Sequence, residues 1–353
     1  MTSIILPSNA TDPSQITSGT TAQRPISPPN GYQRFNISTN NAEFYANGTW
    51  IRGYYGASYG LGYTIVNSGA IVVGAGATGI AYNAFNNRIY VGSLTASNVS
   101  VINPSTASVI ATFSTPNSRY LDCSASGKIY VGNSSVDTVS VMNPSDNSFA
   151  ATVNVGDNPI EVRYASINNK IYVANFNSNN VSVIDCATDT LLTTISVGTN
   201  PWGLVYCFSN NSIYVSNYGS TNVSVIDCNT DVVTATINTG IGSLGGAFCP
   251  STNTVYFSNF DAASIVGIDC STNTVGSTIA VGSSPHKIAY SPFNDRLYVI
   301  NGGSANQSIV NPYTNTVAQT NAVGTSPRDA VFCPSNNRIY TTNSVSSNVS
   351  VTP

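Results

Sequence analysis

The chain has 353 residues, of which 41% are hydrophobic and only 8% are charged, whereas soluble proteins carry about 25% charged residues. Twelve Lys and Arg against fifteen Asp and Glu leave a net charge of −3 without a basic block, which excludes an electrostatic footprint for nucleic acid or an anionic membrane. Ser, Thr, Asn and Gly supply the polar surface, while Val, Ile and 20 Tyr supply strand-forming bulk. The composition therefore favours an all-β fold.

The sequence shows no targeting or membrane signal at its beginning. The apolar run at residues 4–6 has no basic residue before it, so we expect no secretory signal peptide. No stretch approaches the roughly 18 consecutive apolar residues that a transmembrane helix needs. We therefore expect assembly in the cytoplasm and no membrane insertion.

Residues 1–61 differ from the rest of the chain and are predicted to form a separate segment. Five prolines fall between residues 7 and 29. Residues 33–37 and 43–45 are predicted strands, and Asn47-Gly48 favours a tight turn leading into Trp50. The segment therefore reads as a small β-meander preceded by an arm, and its aromatic side chains need a neighbour against which to be buried.

The same segment resembles one that is common in tailed-phage fibre, appendage and capsid-decoration proteins. The resemblance rests on Gly-Thr-Thr-Ala-Gln-Arg-Pro at 19–25, Gly-Tyr-Gln-Arg-Phe-Asn at 31–36, Glu-Phe-Tyr at 43–45 and Gly-Thr-Trp at 48–50. It implies an assembly or attachment element that is often trimeric, with assembly contacts at Arg24, Arg34, Phe35, Tyr45 and Trp50. The alternative is a cap that packs on the rest of its own chain.

Residues 62–353 consist of a repeat that occurs seven times. Its marker is an apolar residue followed by tyrosine, and the tyrosines are Tyr90, Tyr130, Tyr172, Tyr214, Tyr256, Tyr298 and Tyr340. The first spacing is 40 residues and the other five are 42. Each period reads as four short strands separated by turn residues. A four-stranded period of this length is typical of a β-propeller blade, so the sequence predicts seven blades.

The two ends of the repeat region predict how the ring closes. The chain stops after the third predicted strand of the seventh repeat, which leaves that blade without a fourth strand. Residues 71–74 hold the same register to Tyr90 as residues 195–198 hold to Tyr214. We therefore expect residues 71–74 to complete the last blade, which removes the unpaired edges of an open array.

The repeat itself resembles a known propeller family. Tyr172-Val173-Ala174-Asn175, Tyr214-Val215-Ser216-Asn217 and Tyr298-Val299-Ile300-Asn301 resemble the Tyr-Val-Thr-Asn (YVTN) β-propeller repeat. The resemblance implies the fold and a surface or binding protein. It implies almost nothing about chemistry, because propellers host unrelated functions.

Residues that recur in register are expected to be structural. Asp185, Asp227 and Asp269 recur at the end of the third strand, which is typical of turn capping. The seven cysteines fall into two columns that one strand separates within a blade, so we expect reduced, buried thiols. There is one histidine, and no nucleophile elbow, phosphate loop or calcium loop is present. These observations predict a protein that is not an enzyme and that has no metal and no cofactor.

Residues that depart from the repeat are the candidate ligand contacts. Trp202, His286 and Arg328 follow the proline column at the start of the first strand, and Phe176, Tyr218 and Phe260 lie in the loop between the second and third strands. Aromatic rings beside polar loops suit stacking and hydrogen bonding on a sugar. The alternative is that the three loop aromatics pack between adjacent blades and that Trp202 is part of the core.

Together these features predict a bacteriophage virion protein of the tail-fibre or appendage type, homotrimeric, whose propeller binds a host-surface glycan or receptor. The alternative is a capsid decoration or scaffold protein that binds neighbouring virion proteins. A weaker alternative is a cell-surface propeller of the S-layer-associated kind, glycosylated at Asn-x-Ser/Thr sites such as Asn98 and Asn180.

Overall fold

In the computed structural model, the described residues are 17–19, 33–36, 41–46, 49–53, 70–239 and 242–353, with side chains described from residue 70 onward except at Ser277. The chain divides into two compact units, residues 1–65 and 66–353. Throughout the described ranges the elements are strands and turns without a helix. Consequently, the described residues include no helix that is long and apolar enough to cross a membrane.

The N-terminal unit contains one four-stranded sheet. Its strands are β1 (Thr17–Gly19), β2 (Gln33–Asn36), β3 (Asn41–Ala46) and β4 (Thr49–Gly53), paired in chain order. The antiparallel pairs β2–β3 and β3–β4 confirm the predicted meander, and Ala46 lies opposite Thr49, as a two-residue connection requires. Strand β1, which pairs parallel to β2, was not predicted. Residues 47–48 themselves lie outside the described residues.

The second unit is a ring of four-stranded antiparallel sheets, the blades. Blade 1 contains β6 (Ala77–Asn83), β7 (Arg88–Ser93), β8 (Asn98–Asn103) and β9 (Ser108–Ser114). Blade 2 contains β10 (Ser118–Cys123), β11 (Ile129–Asn133), β12 (Thr138–Met142) and β13 (Phe149–Asn154). Blade 3 contains β14 (Pro159–Ala165), β15 (Lys170–Asn175), β16 (Asn180–Asp185) and β17 (Thr190–Ser196). Blade 4 contains β18 (Pro201–Cys207), β19 (Ser212–Asn217), β20 (Asn222–Asp227) and β21 (Val232–Asn238).

The remaining blades continue the pattern. Blade 5 contains β22 (Ser243–Cys249), β23 (Thr254–Asn259), β24 (Ser264–Asp269) and β25 (Val275–Ala280). Blade 6 contains β26 (Pro285–Ser291), β27 (Arg296–Asn301), β28 (Asn306–Asn311) and β29 (Thr316–Ala322). Blade 7 contains β30 (Pro327–Cys333), β31 (Arg338–Asn343), β32 (Asn348–Thr352) and β5 (Ile71–Val72). The first strands of successive blades contact one another, so they surround a central channel. The predicted seven-bladed β-propeller is confirmed.

The predicted ring closure is also confirmed. Strand β5 pairs antiparallel with β32, with Ile71 opposite Val349 and Val72 opposite Asn348. Ile71 is buried in the same hydrophobic cluster as Val349 and Ile80, which belong to the last and first blades. The earliest strand of this unit therefore completes the latest blade, so that this blade has four strands like the others.

The tyrosine column joins neighbouring blades. All seven tyrosine rings are buried in the core, and the hydroxyls of six of them, all except Tyr256, hydrogen-bond to the next blade. Tyr172 Oη donates to Asp231 Oδ1 at 2.6 Å, and Lys170 Nζ forms an ion pair with Asp231 Oδ2 at 2.7 Å. Tyr130 and Lys128 bind Asp189 in the same way. A large apolar ring with a polar hydroxyl can fill the core of one blade and hydrogen-bond to the next. This explains why tyrosine recurs at this position of the repeat.

The aspartate and cysteine columns behave as structural elements. Asp185, Asp227 and Asp269 each accept, at 2.7 Å, the N–H two residues further on, which confirms turn capping. All seven cysteines are free thiols. The two columns do meet between blades, because Cys207 and Cys270 lie in the same buried cluster, where Cys270 lowers the pKa of Cys207. The prediction considered separation only within one blade and did not anticipate this contact.

Candidate functional site

The site begins with a β-bulge near the start of each first strand. In blade 3, Pro159 lies opposite Asn175 and Glu161 lies opposite Ala174, so Ile160 is an extra residue. The first strands of the other blades show the same shift of register. A bulge re-aims side chains, and it creates two positions per blade. We call the second residue of each first strand the mouth position and the third residue the channel position.

Five of the seven mouth positions line a cavity of about 350 Å³. Mouth residues Arg119, Trp202, His286 and Arg328 line it together with Tyr120, and the rest of its lining consists of Gly, Thr, Leu, Ser and Val residues from blades 1 and 7. None of the described residues that line this cavity is acidic. Its volume is within the range of small-molecule sites.

Three of the predicted ligand residues form one aromatic cluster. The rings of Phe176 and Trp202 meet edge to face with centroids 5.5 Å apart, and Tyr218 lies tilted 6.3 Å from Trp202. All three are half-buried. Trp202 lines the cavity, whereas Phe176 and Tyr218 contact Trp202 from outside the lining. These contacts fit the alternative that the loop aromatics pack against neighbouring residues, and the ligand-binding role of the three residues stays a prediction.

The other predicted ligand residues lie at blades 5 to 7. Phe260 packs against the His286 ring at 5.1 Å, and Arg328 Nη1 lies 2.6 Å from His286 Nε2. Burial and the charge of Arg328 lower the pKa of His286 to about 3, so this histidine is neutral near pH 7. Its Nε2 atom therefore accepts a hydrogen bond from Arg328 and orients the guanidinium. His286 and Arg328 line the cavity, whereas Phe260 does not.

Below the mouth, the channel positions hold a buried ionic cluster. Lys287 Nζ lies 2.5 Å from Glu161 Oε1 and 4.8 Å from the centre of the Tyr120 ring. These three residues come from blades 6, 3 and 2, so their contacts cross the channel. Arg163 extends the cluster, with Nη2 3.1 Å from Glu161 Oε1 and Nη1 3.6 Å from Asp122 Oδ2.

Glycine at other channel positions leaves room for this cluster. A Cβ atom on Gly245 would collide with Cδ of Lys287, so a larger residue there would displace the lysine. Asp329 occupies the channel position of blade 7, where burial raises the pKa of its carboxyl to about 7 despite the opposing charge of Lys287. The channel therefore contains a carboxyl group that titrates near neutral pH.

Sequence reasoning missed this cluster. Glu161, Lys287 and Asp329 depart from the repeat one residue after the mouth position. The candidate ligand contacts included only departures at the mouth position and in the loops. Sequence reasoning also missed Arg119 as a mouth residue. Ser118 stands where several blades have the proline that marks the strand start, and the spacing from Tyr90 to Tyr130 is two residues shorter than the other spacings. No group of three or more His, Cys, Asp or Glu side chains suited to a metal occurs among the described residues.

The predicted assembly residues lie in the N-terminal unit. Arg34 and Phe35 are on β2, Tyr45 is on β3 and Trp50 is on β4, with Tyr45 directly opposite Trp50 in the sheet. Arg24 lies outside the described residues. Only the backbone of these strands is described, so the assembly role stays a prediction.

Comparison with known proteins identifies the fold. No family model matches the sequence, and no curated protein matches it, so the two resemblances noted in the sequence are not confirmed. Solved structures do match. The Kuenenia stuttgartiensis hydrazine synthase has a TM-score of 0.70 and 16% identity, covering 78% of this chain and 95% of that chain. A streptogramin B lyase has a TM-score of 0.68 and 14% identity, covering 78% and 93%.

A third match is the selenomethionine-substituted virginiamycin B lyase from Staphylococcus aureus, with a TM-score of 0.69 and 12% identity, covering 79% of this chain and 95% of that chain. The names of all three neighbours are those of enzymes. This finding overturns the prediction that the protein is not an enzyme, which relied on the absence of catalytic motifs known from other folds. At these identities the likeness establishes the fold, which is a seven-bladed β-propeller.

Proposed function

We propose that the propeller binds a carbohydrate at the mouth of its channel. The observation that carries this proposal is the position of Trp202, whose indole lines the cavity while Phe176 and Tyr218 contact it from the sides. A tryptophan held in this way presents a rigid apolar face, which is the element that a sugar ring stacks against.

Polar groups around Trp202 suit the hydroxyls of a sugar. Thr78, Thr95 and Ser344 line the same cavity as Trp202. Hydroxyl side chains both donate and accept hydrogen bonds, as recognition of a polyol requires. An apolar surface with a few convergent polar groups is the usual composition of a small-ligand site.

The biological setting that we propose is attachment of a bacteriophage virion to its host. The N-terminal unit, by its resemblance to phage fibre segments, would join the propeller to other virion proteins, and the propeller would face glycans of the host surface. A trimer would add avidity to weak individual contacts. If the propeller instead decorates or scaffolds the capsid, the channel mouth has no glycan to bind.

The test is binding of the full chain to an array of bacterial surface polysaccharides and to host envelopes. We expect Trp202→Ala combined with Tyr218→Ala to abolish binding while the melting temperature stays within a few degrees. The control is Phe149→Ala, which removes a half-exposed aromatic ring from β13 on the outside of blade 2. Mass spectrometry of each bound polysaccharide shows whether the channel also shortens it.

Two outcomes contradict the proposal. Unchanged binding of the double variant means that the channel mouth is not the site. A large fall in melting temperature means that the two aromatic rings belong to the core, which favours a decorating role.

A further inference from the structure

The cavity at the channel mouth holds two guanidinium groups that lack an acidic partner. The ion pairs among the described residues use Lys128, Arg163, Lys170 and Lys287 as cations. Neither Arg119 nor Arg328 forms one, although both line the cavity. A half-buried arginine is usually paired, because an unpaired charge is poorly solvated there.

The contacts of the two arginines leave their donors available. The Arg119 guanidinium lies 5.7 Å from the centre of the Trp202 ring, and within the described part of the chain it donates no hydrogen bond. Arg328 uses Nη1 toward His286 Nε2 at 2.6 Å and Nε toward Ser344 Oγ at 3.3 Å. An arginine has five N–H donors in a planar fork, so donors on both residues stay unused.

The two charges also act on each other. Both guanidinium groups line the same cavity, and burial together with the charge of Arg328 lowers the pKa of Arg119, so the like charges repel. A bound anion between them relieves this repulsion and replaces the water lost on burial. Because none of the described lining residues carries a carboxylate, a ligand can supply this anion.

We propose that the ligand of this cavity is an acidic saccharide, whose carboxylate is held by Arg119 and Arg328 while its ring lies against Trp202. The proposal rests on the carbohydrate-binding function proposed above and names the class of sugar. A guanidinium matches a carboxylate with two parallel hydrogen bonds. Trp202 lies within cation–π distance of Arg119, so charge recognition and ring stacking occur at adjacent groups.

The decisive experiment compares acidic polysaccharides with the same polysaccharides after their carboxyl groups have been reduced to alcohols. We expect the parent protein to bind uronic-acid or sialic-acid polymers and to lose at least about tenfold in affinity after reduction, because a charged hydrogen bond is lost. Binding should weaken as salt rises from about 0.05 to 0.5 M. Sulfated neutral polysaccharides form a separate arm, and a preference for them overturns the assignment of a carboxylate.

Substitutions of the two cavity arginines test whether they hold the carboxylate of the ligand. Arg119→Gln and Arg328→Gln should each weaken binding of the acidic form by about tenfold or more and weaken binding of the reduced form by a smaller factor. Arg338→Gln is the matched control, because it removes one charge from an exposed arginine on β31. Where an arginine variant fails to fold, the comparison of native and reduced polysaccharides on the parent protein decides the question.

The outcomes separate this inference from the proposed function. Equal binding of native and reduced polysaccharides, with loss on Trp202→Ala, overturns the acidic ligand and leaves carbohydrate binding standing. An absence of binding to every polysaccharide overturns both.

Discussion

Lys287 is the most unusual residue of the propeller, since it is a lysine that is only 2% exposed. Its ammonium group is balanced by Glu161, which is equally buried, and by the face of the Tyr120 ring. A buried ion pair of this kind contributes little net stability, because desolvation offsets much of the attraction. Removing one partner alone, however, leaves an uncompensated charge in the channel.

This asymmetry gives a prediction for two variants. Lys287→Met should lower the free energy of unfolding by up to about 3–5 kcal/mol, because among the described residues Glu161 then keeps the partly exposed Arg163 as its cationic partner. The double change Lys287→Met with Glu161→Gln removes both charges and should be less destabilising than the single change. Denaturant unfolding followed by fluorescence measures both. A double variant that is less stable than Lys287→Met would show that the pair is not coupled.

A second residue-scale prediction concerns pH. Burial raises the pKa of the Asp329 carboxyl from 3.8 to about 7, so the folded state binds a proton more tightly than the unfolded state. The resulting stability is fully present below about pH 4 and is lost as pH rises through 7. Lys287, Glu161 and Arg163 are the charged groups that face this carboxyl.

Asp329→Asn removes this titration. We expect the stability of the parent relative to this variant to fall between about pH 4 and 7, by at most about 1.4 kcal/mol per pH unit. Melting temperatures of both proteins across this range give the slope directly. A difference that stays flat, or that rises with pH, would mean that Asp329 is ionised throughout.

At the scale of single elements, β5 is the shortest strand of the ring and the one that closes it. Only two of its residues pair with β32, and they differ completely in environment, since Ile71 is 5% exposed and Val72 is 76% exposed. Strand β5 therefore holds the ring closed through the buried side chain of Ile71 and through its backbone hydrogen bonds to β32. This contrast provides a test of closure with an internal control.

Ile71→Asp should lower the melting temperature by several degrees or more, because it places a carboxylate in the cluster shared by the last and first blades. Val72→Asp should change it little. Thermal unfolding of the two variants measures the difference. If both variants melt together with the parent, the pairing of β5 with β32 does not hold the ring closed.

At the scale of the whole molecule, the two units suggest separate duties. We predict that the N-terminal unit assembles the protein as a trimer and that residues 66–353 bind the ligand. Light scattering on the full chain should give three times the chain mass of 36.8 kDa, whereas a chain without residues 1–58 should be monomeric and folded. A monomeric full chain at high concentration contradicts the prediction.

Much of the fold follows from the sequence because its signals are local and are repeated seven times. Each period repeats the same turn residues, the same alternation of apolar positions and the same tyrosine. One irregular copy therefore does not hide the repeat length. The closing strand was predictable for the same reason, since residues 71–74 keep the register of a fourth strand. The parallel strand β1 was not, because a three-residue strand carries no pattern of its own and forms only against β2.

The chemistry of the channel was decided by the tertiary structure. Glu161 and Lys287 are 126 residues apart in the sequence, and they meet because ring closure places blades 3 and 6 across one channel. A repeat shows which residues break the pattern, as it did for Trp202, His286 and Arg328. The repeat does not show which of these irregular residues face each other across the channel. That depends on the β-bulge that turns the mouth and channel positions inward, and on the number of blades that closes the ring.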